Sequence, residues 1–285
     1  MKKIGFIDFY INEWHADNYP AWIKEVGERL GLEFEVAYAW AELSESPITH
    51  VTTEKWCADH GIAQCATMEE VCEKSDVLVV LSPDNSENHL RYAQTVLRYG
   101  KPTYIDKTFT PNLADGKEIF RLAEAYGTPV CSSSALRFAS ELEDVKGDVK
   151  AIATLGCGFS FETYAVHQVE MIVRCLGVGA SRLMALQNGA LKTLLIDYPD
   201  GRRGLYNQVI GGAAPFTVSL DRGGQTADYR PVNSDFFKSM IASMLHFFQT
   251  SEPMAPKEET LEVMAILEAG SKAMNAVGEW IAIEQ

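Results

Sequence analysis

The 285 residues predict two domains, an α/β domain with a doubly wound parallel sheet and then an α+β domain with a mainly antiparallel open sheet. Three observations carry this. Short apolar runs alternate with helical patterns from Lys2 to Ser132. Beyond Ser132 the alternation gives way to strand-like runs separated by turn signals, of which Asn188-Gly189 is the strongest. The length suits about two domains. We place the boundary at 132/133.

Taken in order, Lys2 to Phe9 predicts the first strand and Phe34 to Trp40 the second. A helix is expected between them over Pro20 to Leu30, with Pro20 in its first turn and Asn18 as cap. Thr52 to His60 and Thr67 to Lys74 predict two short helices, the second opened by a Thr67/Glu70 capping box. Val77 to Leu81 is a continuous apolar run, as expected of a strand buried on both faces. Ser82-Pro83-Asp84-Asn85 breaks it and is expected to cap a helix reaching Arg98, which Gly100 ends. Pro102 to Ile105 predicts the next strand and delivers Asp106-Lys107-Thr108 at its carboxyl end, where open α/β sheets bind ligands. Asn112 to Tyr126 (helix) and Thr128 to Ser132 (strand) complete a Rossmann-type domain.

The second domain is expected to use strands Val149 to Phe159, Ser181 to Gln187, Gly204 to Ile210 and Phe216 to Leu220. Pro199-Asp200-Gly201 and Arg222-Gly223-Gly224 supply turns. Helices are expected over Thr163 to Leu176, Asp235 to Phe248 and Glu258 to Val277, before a last strand, Trp280 to Ile283.

A formal net charge of −14 argues against nucleic acid or an anionic membrane as partner. No apolar run approaches spanning length, and Asp8 interrupts the start too early for a signal peptide. Six cysteines show no C-x-x-C or other zinc spacing, so buried thiols in a reducing, cytoplasmic setting are expected.

Pro83, His89, Ala93, Gly100-Lys101 and Asp106-Lys107 resemble the P…H…A…GK…EKP signature of the Gfo/Idh/MocA family of NAD(P)-dependent oxidoreductases. Ala135-Leu136-Arg137-Phe138 is similar to that family's RF segment, and His167-Gln168-Val169-Glu170 with Leu176-Gly177 resembles its H-x-x-D…LG helix. Ala255 to Ile283 resembles its closing helix and strand. The resemblance implies an enzyme that uses NAD or NADP on a sugar, polyol or related hydroxy compound. It implies that Lys107 orients the substrate and that His167 is the acid/base. It assigns Asp8, Phe9, Tyr10, Ser82, Pro83, Asn85, His89, Asp106 and Lys107 to the cofactor. A homodimer or homotetramer assembled through the second domain's sheet is also implied.

The residues support these roles unevenly. A lysine can share the proton of an alcohol, and an imidazole can accept it near neutrality. The plain alternative for Lys107 is a surface pair with Asp106. On a helix, Thr163, His167, Glu170 and Arg174 share a face. Thr163 and Glu170 on that face, Glu162 one residue earlier and Tyr164 as a further donor are substrate candidates, with a solvated Glu170–Arg174 couple as the alternative. Arg137 could clamp a carboxylate or sugar hydroxyls, or form an interdomain salt bridge. After the first strand, Asp8, Tyr10 and Glu13 stand where a dinucleotide loop carries glycines. Tyr38-Ala39-Trp40 ends without the acid that grips a ribose, Glu42 being the nearest. Weak dinucleotide binding, biased toward Ser82 to Asn85 and Lys107, is therefore expected. Two other classes compete: a non-catalytic ligand-binding or regulatory protein, and a metal enzyme using Glu13, His15 and Asp17 with His167 and Glu170. The metal set needs residues 13–17 to be extended, and no metal is expected.

Overall fold

A computed structural model describes residues 1–145 and 147–285. The chain divides into two compact units. The first comprises Met1–Thr110, Ala114–Ser133 and Met240–Ala255; the second comprises Pro111–Leu113, Ser134–Ser239 and Pro256–Gln285.

In the first unit, β1 (Lys2–Asp8), β2 (Phe34–Ala41), β3 (Ala63–Gln64), β4 (Val77–Val80), β5 (Thr103–Ile105) and β6 (Val130–Cys131) form one sheet. Its order is β3-β2-β1-β4-β5-β6 and every pairing is parallel. The strand order reverses between β1 and β4, which makes the carboxyl ends of these two strands the topological switch point. Between the strands run α1 (Trp14–Leu30), α2 (Thr53–His60), α3 (Met68–Lys74), α4 (His89–Val96) and α5 (Leu113–Tyr126). The β4 residues are all buried, as the continuous apolar run requires.

Three local expectations change. The helix expected from Pro20 starts at Trp14, its cap is Glu13 rather than Asn18, and Pro20 lies inside it. A carboxylate satisfies two backbone N–H groups at once, so Glu13 sets an earlier start than the proline signal. Ser82 to Asn85 does not cap α4, which instead follows a 3₁₀ turn over Ser86–Asn88 with no side-chain cap bond. Thr67 does cap α3, accepting from the Glu70 N–H at 3.1 Å, but Glu70 reaches back to the Ala66 N–H rather than to that of Thr67.

In the second unit, β7 (Ala151–Gly158), β8 (Arg182–Asn188), β9 (Leu191–Asp197), β10 (Arg203–Ile210), β11 (Thr217–Asp221), β12 (Asp228–Pro231) and β13 (Trp280–Ala282) form a sheet ordered β12-β11-β7-β10-β9-β8-β13. Only the β7–β10 pair is parallel. The β8–β9 loop is Gly189-Ala190, one residue later than the Asn-Gly signal suggested, with Gly189 at φ 60°. The short strands β3 and β12 are absent from the sequence-based expectation, being too short for periodicity to register.

Helices α6 (Phe161–Leu176) and α8 (Lys257–Met274) cover one face, burying Ile152, Thr154, Leu194, Ile196, Tyr206 and Val218. Leu155, Cys157, Leu195, Leu205 and Val209 point to the other face and are half-buried. From Met240 on, α7 (Phe236–Thr250) belongs to the first unit, where Phe248 packs 6.2 Å from Phe34. All six cysteines are free. Among the described residues, no helix is long and apolar enough to cross a membrane.

Gly5 shows how closely the first unit packs. A Cβ there would sit 2.3 Å from Ser75 Oγ and 2.4 Å from Val71 Cγ1, so α3 lies directly on the β1 backbone. Gly5→Ala should lower stability by about 1–3 kcal/mol, as overpacking does. A denaturant midpoint equal to the parent's would refute this close packing.

Candidate functional site

The first cluster lies at the carboxyl ends of β1 and β5 and the start of α1. Asp8 ends β1 at 1% exposure, and its Oδ1 accepts from the Phe9 N–H at 2.7 Å and the Ser82 N–H at 2.9 Å. Ser82 holds this geometry at φ 62°, a conformation costly for a residue with a Cβ, and its Oγ also accepts from the Phe9 N–H. Asp8 Oδ2 is buried with no hydrogen-bond partner. Burial raises the Asp8 carboxyl well above its ordinary range, and repulsion from Glu13 and Asp106 adds to the shift.

Glu13 closes the N-terminus of α1, its Oε2 accepting from the His15 N–H at 2.7 Å and its Oε1 from the Ala16 N–H at 2.5 Å. The same Oε2 lies 3.0 Å from His15 Nδ1, so that nitrogen carries the proton. His15 Nε2 faces Asp106 Oδ2 at 3.9 Å, too far for a direct bond. Asp106 is fully buried, with its Oδ1 2.9 Å from the Tyr104 hydroxyl, and its Oδ2 has no hydrogen-bond partner. Tyr10 is buried beside this loop, and burial with nearby Asp84, Asp8 and Glu13 pushes its phenol up to about 12.

Lys107 follows Asp106 and is 9% exposed. No ion pair joins it to Asp106, so the surface-pair alternative does not hold among the described residues. The Lys107–Thr108 peptide bond is cis. Pro83 is buried, and Asn85 spends its amide on Glu87 at 3.0 Å. His89 is fully buried, its ring nitrogens 2.8 Å from the Phe109 carbonyl and 2.6 Å from the Leu81 carbonyl. Both nitrogens are thus used to brace two chain segments. Glu42 accepts from Arg91 Nη2 at 2.6 Å and the Tyr92 hydroxyl at 2.7 Å, so it too is engaged within the protein.

These residues do not fit a dinucleotide pyrophosphate. In a fold of this type that group rests on the free N–H groups at the start of α1. Here the Glu13 carboxylate already occupies them, with Asp8 buried beside it. The metal set fails for a related reason: 13, 15 and 17 form a cap and a first helical turn, not an extended segment. Asp17 is committed to Trp56 Nε1 at 2.7 Å and to Asn12. Among the described residues, no group of three His, Cys, Asp or Glu could hold a metal ion.

The second cluster lies in the second unit, on α6 and the segment before β7. His167 Nδ1 is 2.7 Å from Ser134 Oγ, a partner the sequence reading missed because Ser134 is 33 residues away. The His167 ring is half-buried against Tyr164 and Phe216, with centroids at 5.6 and 6.3 Å. Thr163 is used at the helix start, its N–H donating to Ser160 Oγ at 3.2 Å, and Glu162 is exposed.

Glu170 is buried rather than solvated, and it does not pair with Arg174. It accepts from the Ser134 N–H at 3.1 Å and from Arg137 Nη1 at 3.2 Å, while Arg174 donates to the Val145 and Leu142 carbonyls. Arg137 Nη2 also bonds Glu259, so it is a buried charge pair inside the second unit and not an interdomain bridge. Burial raises the Glu170 carboxyl despite the guanidinium. Only a charged partner in the interior could make this carboxylate tolerable. The i,i+4 rule on one helix cannot register that partner.

Comparison with known proteins shows the fold and little more. No known family's sequence profile matches the chain. An uncharacterized oxidoreductase of Escherichia coli (strain K12), YhhX, is 37% identical over 73 residues, a stretch spanning 26% of this chain and 21% of YhhX. A probable dehydrogenase from Thermotoga maritima superposes with a TM-score of 0.76 at 11% identity, covering 99% of this chain and 98% of that one. An oxidoreductase from Agrobacterium radiobacter, solved in complex with NAD+, L-tartaric acid and magnesium, gives 0.76 at 14% identity over 99% and 98%. The chain has the fold of these dehydrogenases.

Asp8 makes the energetics of the first cluster measurable. Its folded-state pKa is raised, so the folded protein holds this proton more tightly than the unfolded chain. Stability from this group is therefore fully present below the unfolded value near ~4 and declines as pH rises toward the folded one. Asp8→Asn should be more stable than the parent by at least about 1 kcal/mol at pH 7–8, with the gap closing below pH ~4. A gap that does not change with pH would contradict the assignment.

Proposed function

We propose that the protein is an oxidoreductase acting on a small hydroxylated compound, a sugar, polyol or related molecule. Lys107 carries the reading. A lysine nine-tenths buried at the carboxyl end of a parallel strand, with no carboxylate paired to it among the described residues, keeps its ammonium for a ligand. Its role is to orient a substrate hydroxyl and share its proton. His167, held by Ser134 and flanked by Tyr164 and Phe216, is the second unit's proton-transfer group. NAD or NADP would supply the hydride chemistry. The β1–α1 loop offers its pyrophosphate no cradle, so any contact falls to Ser82 to Asn85 and Lys107.

A second reading is favoured by the Glu13 cap itself: a ligand-binding protein on this fold that no longer holds a dinucleotide. Losing several backbone bonds to phosphate, each worth roughly 1.5–3 kcal/mol, weakens a micromolar cofactor to millimolar or beyond. Calorimetric titration with NAD(H) and NADP(H), followed by turnover assays on polyols and sugars, separates the two. Under the first reading, millimolar dinucleotide supports turnover that Lys107→Met cuts by about two to four decades. Absence of turnover with saturating dinucleotide would leave the second.

We also propose a homodimer or homotetramer. Leu155, Cys157, Leu195, Leu205 and Val209 form a half-buried apolar stripe on the face of the second unit's sheet opposite the helices, beside the Thr193–Asn207 pair. An apolar face of this kind is a recurrent association surface. Light scattering at micromolar concentration should give at least a dimer, and Leu205→Glu should shift it toward monomer. A monomeric parent would overturn this.

A further inference from the structure

We infer that Asp8, Asp106 and His15 form a subsite for a primary ammonium group of a small molecule, at the place where related folds seat a pyrophosphate. The inference stands under either reading of the protein's function. Three acceptors are free there. Asp8 Oδ2 and Asp106 Oδ2 are buried without hydrogen-bond partners, on side chains 1% and 0% exposed. Leaving a buried carboxylate oxygen unbonded is costly, so two in one cluster point to a donor that completes them. The third acceptor is His15 Nε2. Glu13 lies on Nδ1, so that nitrogen donates, and in the neutral tautomer this selects, Nε2 is the acceptor.

The spacing selects the donor. His15 Nε2 and Asp106 Oδ2 are 3.9 Å apart, which excludes a bond between them. One nitrogen placed at an ordinary distance of ~2.8 Å from each would open an angle of roughly 90°, within reach of two N–H bonds of the same ammonium. Asp8, near enough for the Asp106 and Glu13 charges to act on it, offers its unpartnered Oδ2 as a further acceptor in the cluster. A metal ion is disfavoured by the same inventory. Both Glu13 oxygens are spent on the His15 and Ala16 N–H groups, and Asp106 Oδ1 is bonded to Tyr104. That leaves one oxygen from each aspartate. An anion is excluded by charge, because Asp8, Glu13 and Asp106 surround the position and repel one another.

The other titratable groups near the cluster do not neutralise it. Tyr19 and Tyr104 are buried phenols whose ionisation is pushed upward, largely by burial. Burial lowers the His89 imidazole from its ordinary value, which favours the neutral ring. Lys107 makes no ion pair with Asp106. Among the described residues no lysine or arginine pairs with Asp8, Glu13 or Asp106, so a bound ammonium would supply the cation that the cluster lacks.

The test uses the smallest ligand with the required chemistry. Thermal unfolding of the full-length protein is followed at pH 7.5 in methylammonium, tetramethylammonium or sodium chloride at equal ionic strength. Methylammonium should stabilise in a saturable manner, with an apparent dissociation constant on the order of 10 mM, the limit for two non-hydrogen atoms. Tetramethylammonium, which has no N–H, should match sodium. Asp106→Asn should weaken the methylammonium effect at least ten-fold, with Asp8→Asn as the second variant should the first fail to fold. Equal stabilisation by methylammonium and tetramethylammonium, an undiminished effect in a folded variant, or saturation by micromolar magnesium would each overturn the inference.

Discussion

The bond between the Glu13 carboxylate and the first N–H groups of α1 organises the first unit at the carboxyl ends of its strands. A helix N-terminus carries partial positive charge and unpaired donors, and in a dinucleotide fold it waits for a phosphate. Here a side chain of the same chain completes it. The helix thereby begins six residues before Pro20, in the stretch that composition marks as a loop. His15 is placed on the first turn against Glu13, and its other nitrogen is turned toward Asp106. The loop is a carboxylate cluster, with Asp8 and Asp106 each keeping one oxygen unbonded.

The second unit relies on a comparable constraint. Arg137 is buried with Glu170 and the half-buried Glu259 against its guanidinium, which offsets part of the cost of burying the Glu170 carboxylate. The carboxylate of Glu170 also accepts the N–H of Ser134, whose hydroxyl meets His167. The orientation of the imidazole is therefore tied to an ion pair it does not touch. Arg137, a substrate-clamp candidate from the sequence, is bonded to Glu170, the carboxylate that also holds the Ser134 backbone.

The alternation of apolar runs and helical stretches was enough to place a parallel sheet, because each strand buried on both faces must be apolar throughout, as Val77 to Val80 is. Periodicity also located α6 and α8, and turn residues located the hairpins to within a residue. It missed β3 and β12, where two and four residues leave no period to read. The candidate site was legible in part. Asp106-Lys107 at a strand mouth and the absent glycines followed from local order, whereas the burial of the lysine did not.

What the sequence by itself determined is what depends on neighbours along the chain: the two-layer grammar, the missing glycine loop, and the lysine at the end of β5. The tertiary structure alone decided which charges meet. Ser134 with His167, Arg137 with Glu170 and Glu259, and His15 between Glu13 and Asp106 join residues from 2 to 122 positions apart. The energy of a buried charge depends on what surrounds it in space, at distances of a few ångström, and no spacing rule along one helix or strand carries that information.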